Sequence, residues 1–171
     1  MSSILTGMSL LRSLAWRIGR RLYCWARNDL SAPPESNGEY RLLQACISAL
    51  STSRAIVVFD IGANKGEWSQ QALSAARVHG AGLSVHAFEP ASDTYAYLLR
   101  KFEGAGVVLN KAAASDKSAQ VPLYIKGSLC GVNSLYGREG AEVELVEAVA
   151  LDDYVSQQGI ESIDFIKTDA E

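Results

Sequence analysis

The chain has 171 residues, 48% hydrophobic and 20% charged, which is enough apolar mass for one soluble domain with its own core. A formal net charge of −3 lacks the basic balance expected of a nucleic-acid binder. Three cysteines without a CxxC spacing and two histidines outside any ligand pattern argue against a disulfide framework and against zinc. No metal site is expected, and the thiols read as reduced in a cytoplasmic protein.

Residues 1–30 form a segment of their own. Ile4, Met8, Leu11, Ala15, Ile18, Leu22 and Trp25 recur three or four apart, which makes one helical stripe. Arg12, Arg17, Arg20, Arg21 and Arg27 lie around the remainder of the wheel. Two readings are open. Residues 4–27 could rest peripherally on the anionic inner face of a membrane, or the stripe could dock on the domain or on a partner. Gly7 and Gly19 weaken the helix and favour docking. Arginines interrupt the segment before about 20 apolar residues accumulate, so it is not a span. The charges also follow the first apolar run, unlike those of a signal peptide. Residues 31–38, SAPPESNG, read as a linker.

Residues 39–171 then alternate. A short amphipathic helix is expected over 40–50, with Leu42, Leu43, Cys46 and Leu50 on its core side. Strands are expected over 55–60, 83–89 and 107–112, with helices over 66–78 and 93–102 between them and Ser92 capping the second. This βαβαβ order implies a parallel sheet with helices on both faces. Residues 121–126 and 142–150 read as an inserted hairpin or an edge extension. A short helix capped by Asp152 follows, and 163–169 forms a fourth core strand.

The first strand ends in VVFDIGANKGEW, with Asp60 where a dinucleotide loop keeps its first glycine. A carboxylate there would repel a pyrophosphate at the helix N-terminus. It would attract the ammonium and sulfonium of S-adenosylmethionine, directly or through water. Gly62 lets the backbone approach a ligand, and Gly66 lets the helix start close to the strand. Glu89 ends the second strand in VHAFEP, where an acid can accept hydrogen bonds from both ribose hydroxyls.

FDIGANKGEWS, VHAFEP, NKAAASD, VALDDYV and IDFIKTDAE resemble, in this order, the motifs of the FkbM family of S-adenosylmethionine-dependent methyltransferases, with NGEYRLL similar to a segment of some members. The resemblance runs from about residue 37 to Glu171. It implies a Rossmann-like class I methyltransferase fold, α/β with a mostly parallel sheet in strand order 3-2-1-4-5-7-6. It implies methyl transfer to a hydroxyl of a sugar, glycan or related small-molecule acceptor. By position it implies Asp60, Gly62, Asn64 and Gly66 along the methionine part of the cofactor, Glu89 on the ribose and Asp116 near the adenine. Asp169 would face the transferred methyl. Lys167, two residues before it, is a candidate aid to deprotonation or one half of a structural ion pair with Asp169 or Glu171. Asn133 and Ser134 could touch an acceptor, though turn chemistry explains them equally.

Family members continue past DAE, so the expected fold is incomplete after the fourth core strand and the chain reads as a truncated product. A non-catalytic remnant is therefore one rival reading. A nicotinamide-dependent oxidoreductase is another, opposed by Asp60 in place of glycine.

Overall fold

The apolar run before the glycine loop forms β1 (Ile56–Ile61), buried along almost its whole length. The computed structural model describes residues 15, 16, 18, 19, 22, 23, 26, 37–51, 54–125, 133–135 and 142–169. After β1 come α2 (Glu67–His79), β2 (Leu83–Phe88), α3 (Ser92–Lys101) and β3 (Val107–Asn110). An α1 helix (Glu39–Leu50) precedes them. Further on lie β4 (Ala113–Ser115), β5 (Ala119–Ile125), β6 (Glu142–Ala150), α4 (Leu151–Gln157) and β7 (Phe165–Thr168).

Four of these strands form a parallel sheet in the order β3-β2-β1-β7. That is a Rossmann-like arrangement with a change of direction at β1, since β2 and β3 lie to one side and β7 to the other. Alternation along the strands separates two apolar layers. Phe59, Ile61 and Phe88 pack with Tyr154 of α4. Ala87, Leu98 and Phe102 pack with Ala63 on the α3 side. Parallel strands buried on both faces demand such near-continuous apolar runs, and the sequence supplies them.

A second sheet, in the order β4-β6-β5, combines a parallel pair with an antiparallel one. The expected third strand over 107–112 ends at Asn110 in the first sheet, and a separate strand just beyond it, Ala113–Ser115, joins the second. The expected hairpin is therefore part of a separate sheet. The hydroxyl and backbone N–H of Ser92 both donate to Glu144 of β6, which fastens this sheet to the start of α3.

Several local expectations are corrected. Ala91 occupies the N-cap of α3, and Ser92 is its first helical residue. Asp152 lies inside α4, whose N-cap is Ala150. The Ala150 N–H donates to Ser118 Oγ, so the support comes from the loop before β5. In α1 the buried residues are Leu43 and Ile47, while Leu42 and Leu50 are exposed. Gly66 caps α2 in the left-handed region, and a Cβ there would come within 2.5 Å of the Phe102 ring. Only glycine lets α2 begin that close to α3.

The chain divides into two units, residues 1–41 and residues 42–171. In the first, Ala15, Trp16, Ile18, Gly19, Leu22, Tyr23 and Ala26 are helical. Of the expected linker over 31–38, residues 31–36 lie outside the described residues, as do Ile4, Met8, Leu11 and Trp25. Among the described residues no helix is long and apolar enough to cross a membrane.

His86 on β2 is buried against Phe59, with Nδ1 2.7 Å from the Tyr154 hydroxyl and Nε2 3.1 Å from Ser84 Oγ. Burial pushes its imidazole below the ordinary value. The unfolded chain takes up a proton below about pH 6.5, and the folded imidazole resists until lower pH. The unfolded state then binds more protons, so this contribution to stability is present above that pH and lost on acidification. Urea unfolding compared at about pH 7 and pH 5 should show a steeper loss for the wild type than for His86→Gln. Equal losses in the two proteins would remove His86 as the cause.

Candidate functional site

The carboxyl ends of β1, β2 and β7 converge on one cleft, roofed by the second sheet. Ile61, Gly62, Asn64, Glu89, Thr94 and Asp169 line it. Its apolar wall comes from Phe88, Pro90, Ala112–Ala114, Leu123 and Leu135. This is the position beyond the strand ends, beside the change in strand order, where open parallel sheets hold ligands.

The loop after β1 turns tightly. Gly62 has φ 74° and Asn64 φ 46°, and the N–H groups of Gly62 and Ala63 both donate to the Phe88 carbonyl. Asn64 tolerates this left-handed geometry better than most residues. Its N–H donates to Glu89 Oε2 at 2.9 Å, and the Ala91 N–H donates to Glu89 Oε1 at 3.0 Å. Glu89 thus ties the β1 loop to the turn after β2 while standing on the cleft wall. Burial raises its pKa, and the negative charge of Asp60 adds to that. The two backbone N–H groups and Lys167 pull it back.

Asp60 lies elsewhere than the sequence reading places it. It is fully buried and does not line the cleft. Ser69 Oγ of α2 donates to its Oδ2 at 2.7 Å, and Lys167 Nζ stands 3.2 Å from Oδ1. That Oδ1 has the ion pair but no aligned hydrogen bond. Asp60 and Lys167 are register partners on the adjacent parallel strands β1 and β7, so their side chains share one face. The expected direct attraction of a cationic ligand by Asp60 is replaced by an internal ion pair.

Lys167 also donates to the Gly62 carbonyl at 3.1 Å, while Asp169 Oδ2 is farther, at 3.8 Å. The principal partner of Lys167 is therefore Asp60, in place of the expected Asp169 or Glu171; Glu171 lies outside the described residues. All three neighbours of Nζ are acceptors, which suits a donating ammonium and gives no opening for a base. Asp169 is highly exposed at the cleft mouth, and its N–H donates to the Ile61 carbonyl.

The cleft brings together Gly62, Asn64, Glu89 and Asp169 from the candidate set. Gly66 packs under α3, and Asp116 is an exposed acid in the bend after β4, bonded to Ser115; neither lines the cleft. The wall near Asp116 is made by Ala112–Ala114 instead. Thr94, Leu123 and Leu135 had no signal in the sequence, because Leu123 of the second sheet and Leu135 packed against it reach the cleft only through tertiary packing. Asn133 does line the cleft. Among the described residues no group of three His, Cys, Asp or Glu side chains could hold a metal ion.

The acceptor set suits a nucleoside with a cationic amino-acid end. Glu89 keeps acceptor capacity beyond its two N–H bonds. Asn64 Oδ1 is a buried acceptor without a hydrogen-bond partner, a deficit that a donor on a bound molecule would satisfy. The flanking alanines and leucines offer an apolar slot for a base.

A model of the methyltransferase FkbM domain matches residues 60–171 of this chain. No curated protein matches it.

Replacing Lys167 by methionine leaves Asp60 buried without a counter-charge. Breaking such a pair costs about 3–5 kcal/mol. Adding Asp60→Asn should recover part of that loss in chemical denaturation, giving a clear coupling energy. Strict additivity of the two substitutions would show that the pair does not hold the loop.

Proposed function

Because the chain belongs to the FkbM methyltransferase family, we propose that it is an S-adenosylmethionine-dependent O-methyltransferase acting on a hydroxyl of a sugar, glycan or related acceptor. The observation that carries the reading is Glu89, a buried carboxylate at the tip of β2. It stands on the cleft wall and holds the Asn64 loop by a backbone hydrogen bond. When bound, the cofactor supplies an electrophilic methyl group on a sulfonium centre.

The residues divide the work by position. Glu89 accepts from the ribose hydroxyls, and its two existing N–H bonds keep it from rotating away. Asn64 offers its unpartnered Oδ1 to the amino group. Gly62, without a side chain, leaves the backbone open to close approach. The adenine would be held among Ala112–Ala114, Leu123 and Leu135, which offer it an apolar wall. Asp169, exposed at the mouth, is the carboxylate placed to take the proton of an acceptor hydroxyl. Lys167 serves as a positioning residue, with its ammonium spanning Asp60 and the Gly62 carbonyl. Three cysteines without a pairing pattern fit a cytoplasmic reaction.

Thermal shift gives a direct test. S-Adenosylhomocysteine should stabilise the protein and NAD should not, by the mass-action gain of a ligand that binds only the folded state. Stabilisation by NAD alone would overturn the reading. Glu89 protonates at higher pH than an ordinary carboxylate, so affinity for S-adenosylhomocysteine should begin to fall on acidification before the usual carboxylate range is reached. Glu89→Gln should bind more weakly and lose that part of the pH profile. A profile identical in the variant would exclude Glu89 from the ribose site.

A further inference from the structure

We propose that a second cavity, beside the cleft, is a binding site for a small organic ammonium ion. It lies between the first turn of α3 and the β5–β6 pair. Asp93, Thr94, Ile125, Asn133, Glu142 and Glu144 line it, around a volume of about 260 Å³ that admits a small molecule. Thr94 and Asn133 line the cleft as well, so the two spaces share a wall. The strand that supplies two of the acids has its polarity inverted. Along β6, Glu142 and Glu144 share a face with Val146, which packs against Ala91 and Leu123. Val143 and Leu145 point the other way and are 54% and 70% exposed. A half-buried strand normally turns its apolar residues inward. Acids in the inward places, with apolar residues facing water, break that rule, and such breaks belong to sites with another use.

The acids differ in how far they are already engaged. Glu144 accepts twice from Ser92, and Lys111 Nζ stands 3.9 Å from its Oε1. Asp93 and Glu142 have neither a hydrogen bond nor an ion pair among the described residues. Thr94 is only 2% exposed, and among the described residues its hydroxyl also has no hydrogen-bond partner. An occupant of the cavity would fill that deficit. Three carboxylates on one wall, with no basic residue beside them among the described residues, draw in cations. The acids do not converge on one point, since among the described residues no three His, Cys, Asp or Glu could hold a metal ion. They suit a cation that carries several N–H donors on an extended frame. An ammonium group gives donors to the carboxylates and to the Thr94 oxygen. A neutral polyol would leave the charges uncompensated, and an anion would be repelled.

The test is titration of the full chain with 1,4-diaminobutane, followed by calorimetry, with butane-1,4-diol and magnesium chloride as controls. The diamine should bind and the diol, of the same length but uncharged, should not. The double substitution Asp93→Asn and Glu142→Gln should weaken diamine binding about tenfold or more. Thr94→Val, which removes only the hydroxyl function, should also weaken it. Both acids are exposed, so the double variant should keep the unfolding midpoint of the unliganded chain. No binding of the diamine, equal binding of the diol, or undiminished binding by either variant would overturn the proposal. So would equally tight binding of magnesium, which would make the cavity a site for inorganic cations. The titration contains no S-adenosyl compound, so its outcome is separate from that of the cofactor assignment.

Discussion

The cleft depends on one buried ion pair, Asp60 with Lys167. Placing a carboxylate in the dry end of a parallel sheet is costly, and a counter-charge with added hydrogen bonds is what makes it tolerable. Here the counter-charge sits at the same register on the neighbouring strand. Ser69 satisfies the other oxygen from the first turns of α2. Lys167 then spends a further donor on the Gly62 carbonyl, so one ammonium fixes the end of β1, the glycine turn and β7 together. The acid at the tip of β1 therefore shapes the site from behind its wall. The charge that faces the cleft comes from Glu89 and Asp169.

Glu89 connects this constraint to ligand chemistry. It shares the electrostatic field of Asp60 and Lys167 and is fastened by the N–H groups of Asn64 and Ala91. A carboxylate held from two sides loses little freedom when it accepts further hydrogen bonds, which is the energetic benefit of preorganisation. The second sheet completes the enclosure. Glu144 grips the start of α3 through Ser92, and Leu123 and Leu135 close the apolar side.

Much of this was legible from residue order. The alternation of apolar runs and helical periods anticipated a parallel sheet, and the observed order β3-β2-β1-β7 agrees with it. Glu89 stood out because it ends the second strand of the sheet, where an acid can accept hydrogen bonds from both ribose hydroxyls. The misplacements share a cause. Asp60 looked exposed because it ends a strand next to a loop, but its environment is set by register with a strand more than a hundred residues away. Gly66 looked like a ligand-facing glycine, and its requirement comes from the Phe102 ring. Ser92 and Asp152 had the right chemistry for caps, one residue inside the first turn and two beyond the observed cap. Local propensity cannot see such tertiary neighbours.

Arg54 and the Val57 N–H both bond to Asp164, reaching across 110 and 107 residues to bring β7 beside β1. On a ribosome this separation becomes a delay. At about 5–20 residues per second, the lysine follows its acid by roughly five to twenty seconds. Throughout that interval the carboxylate of the nascent strand must stay hydrated. The cleft end of the sheet is consequently among the last parts of the described fold to dry.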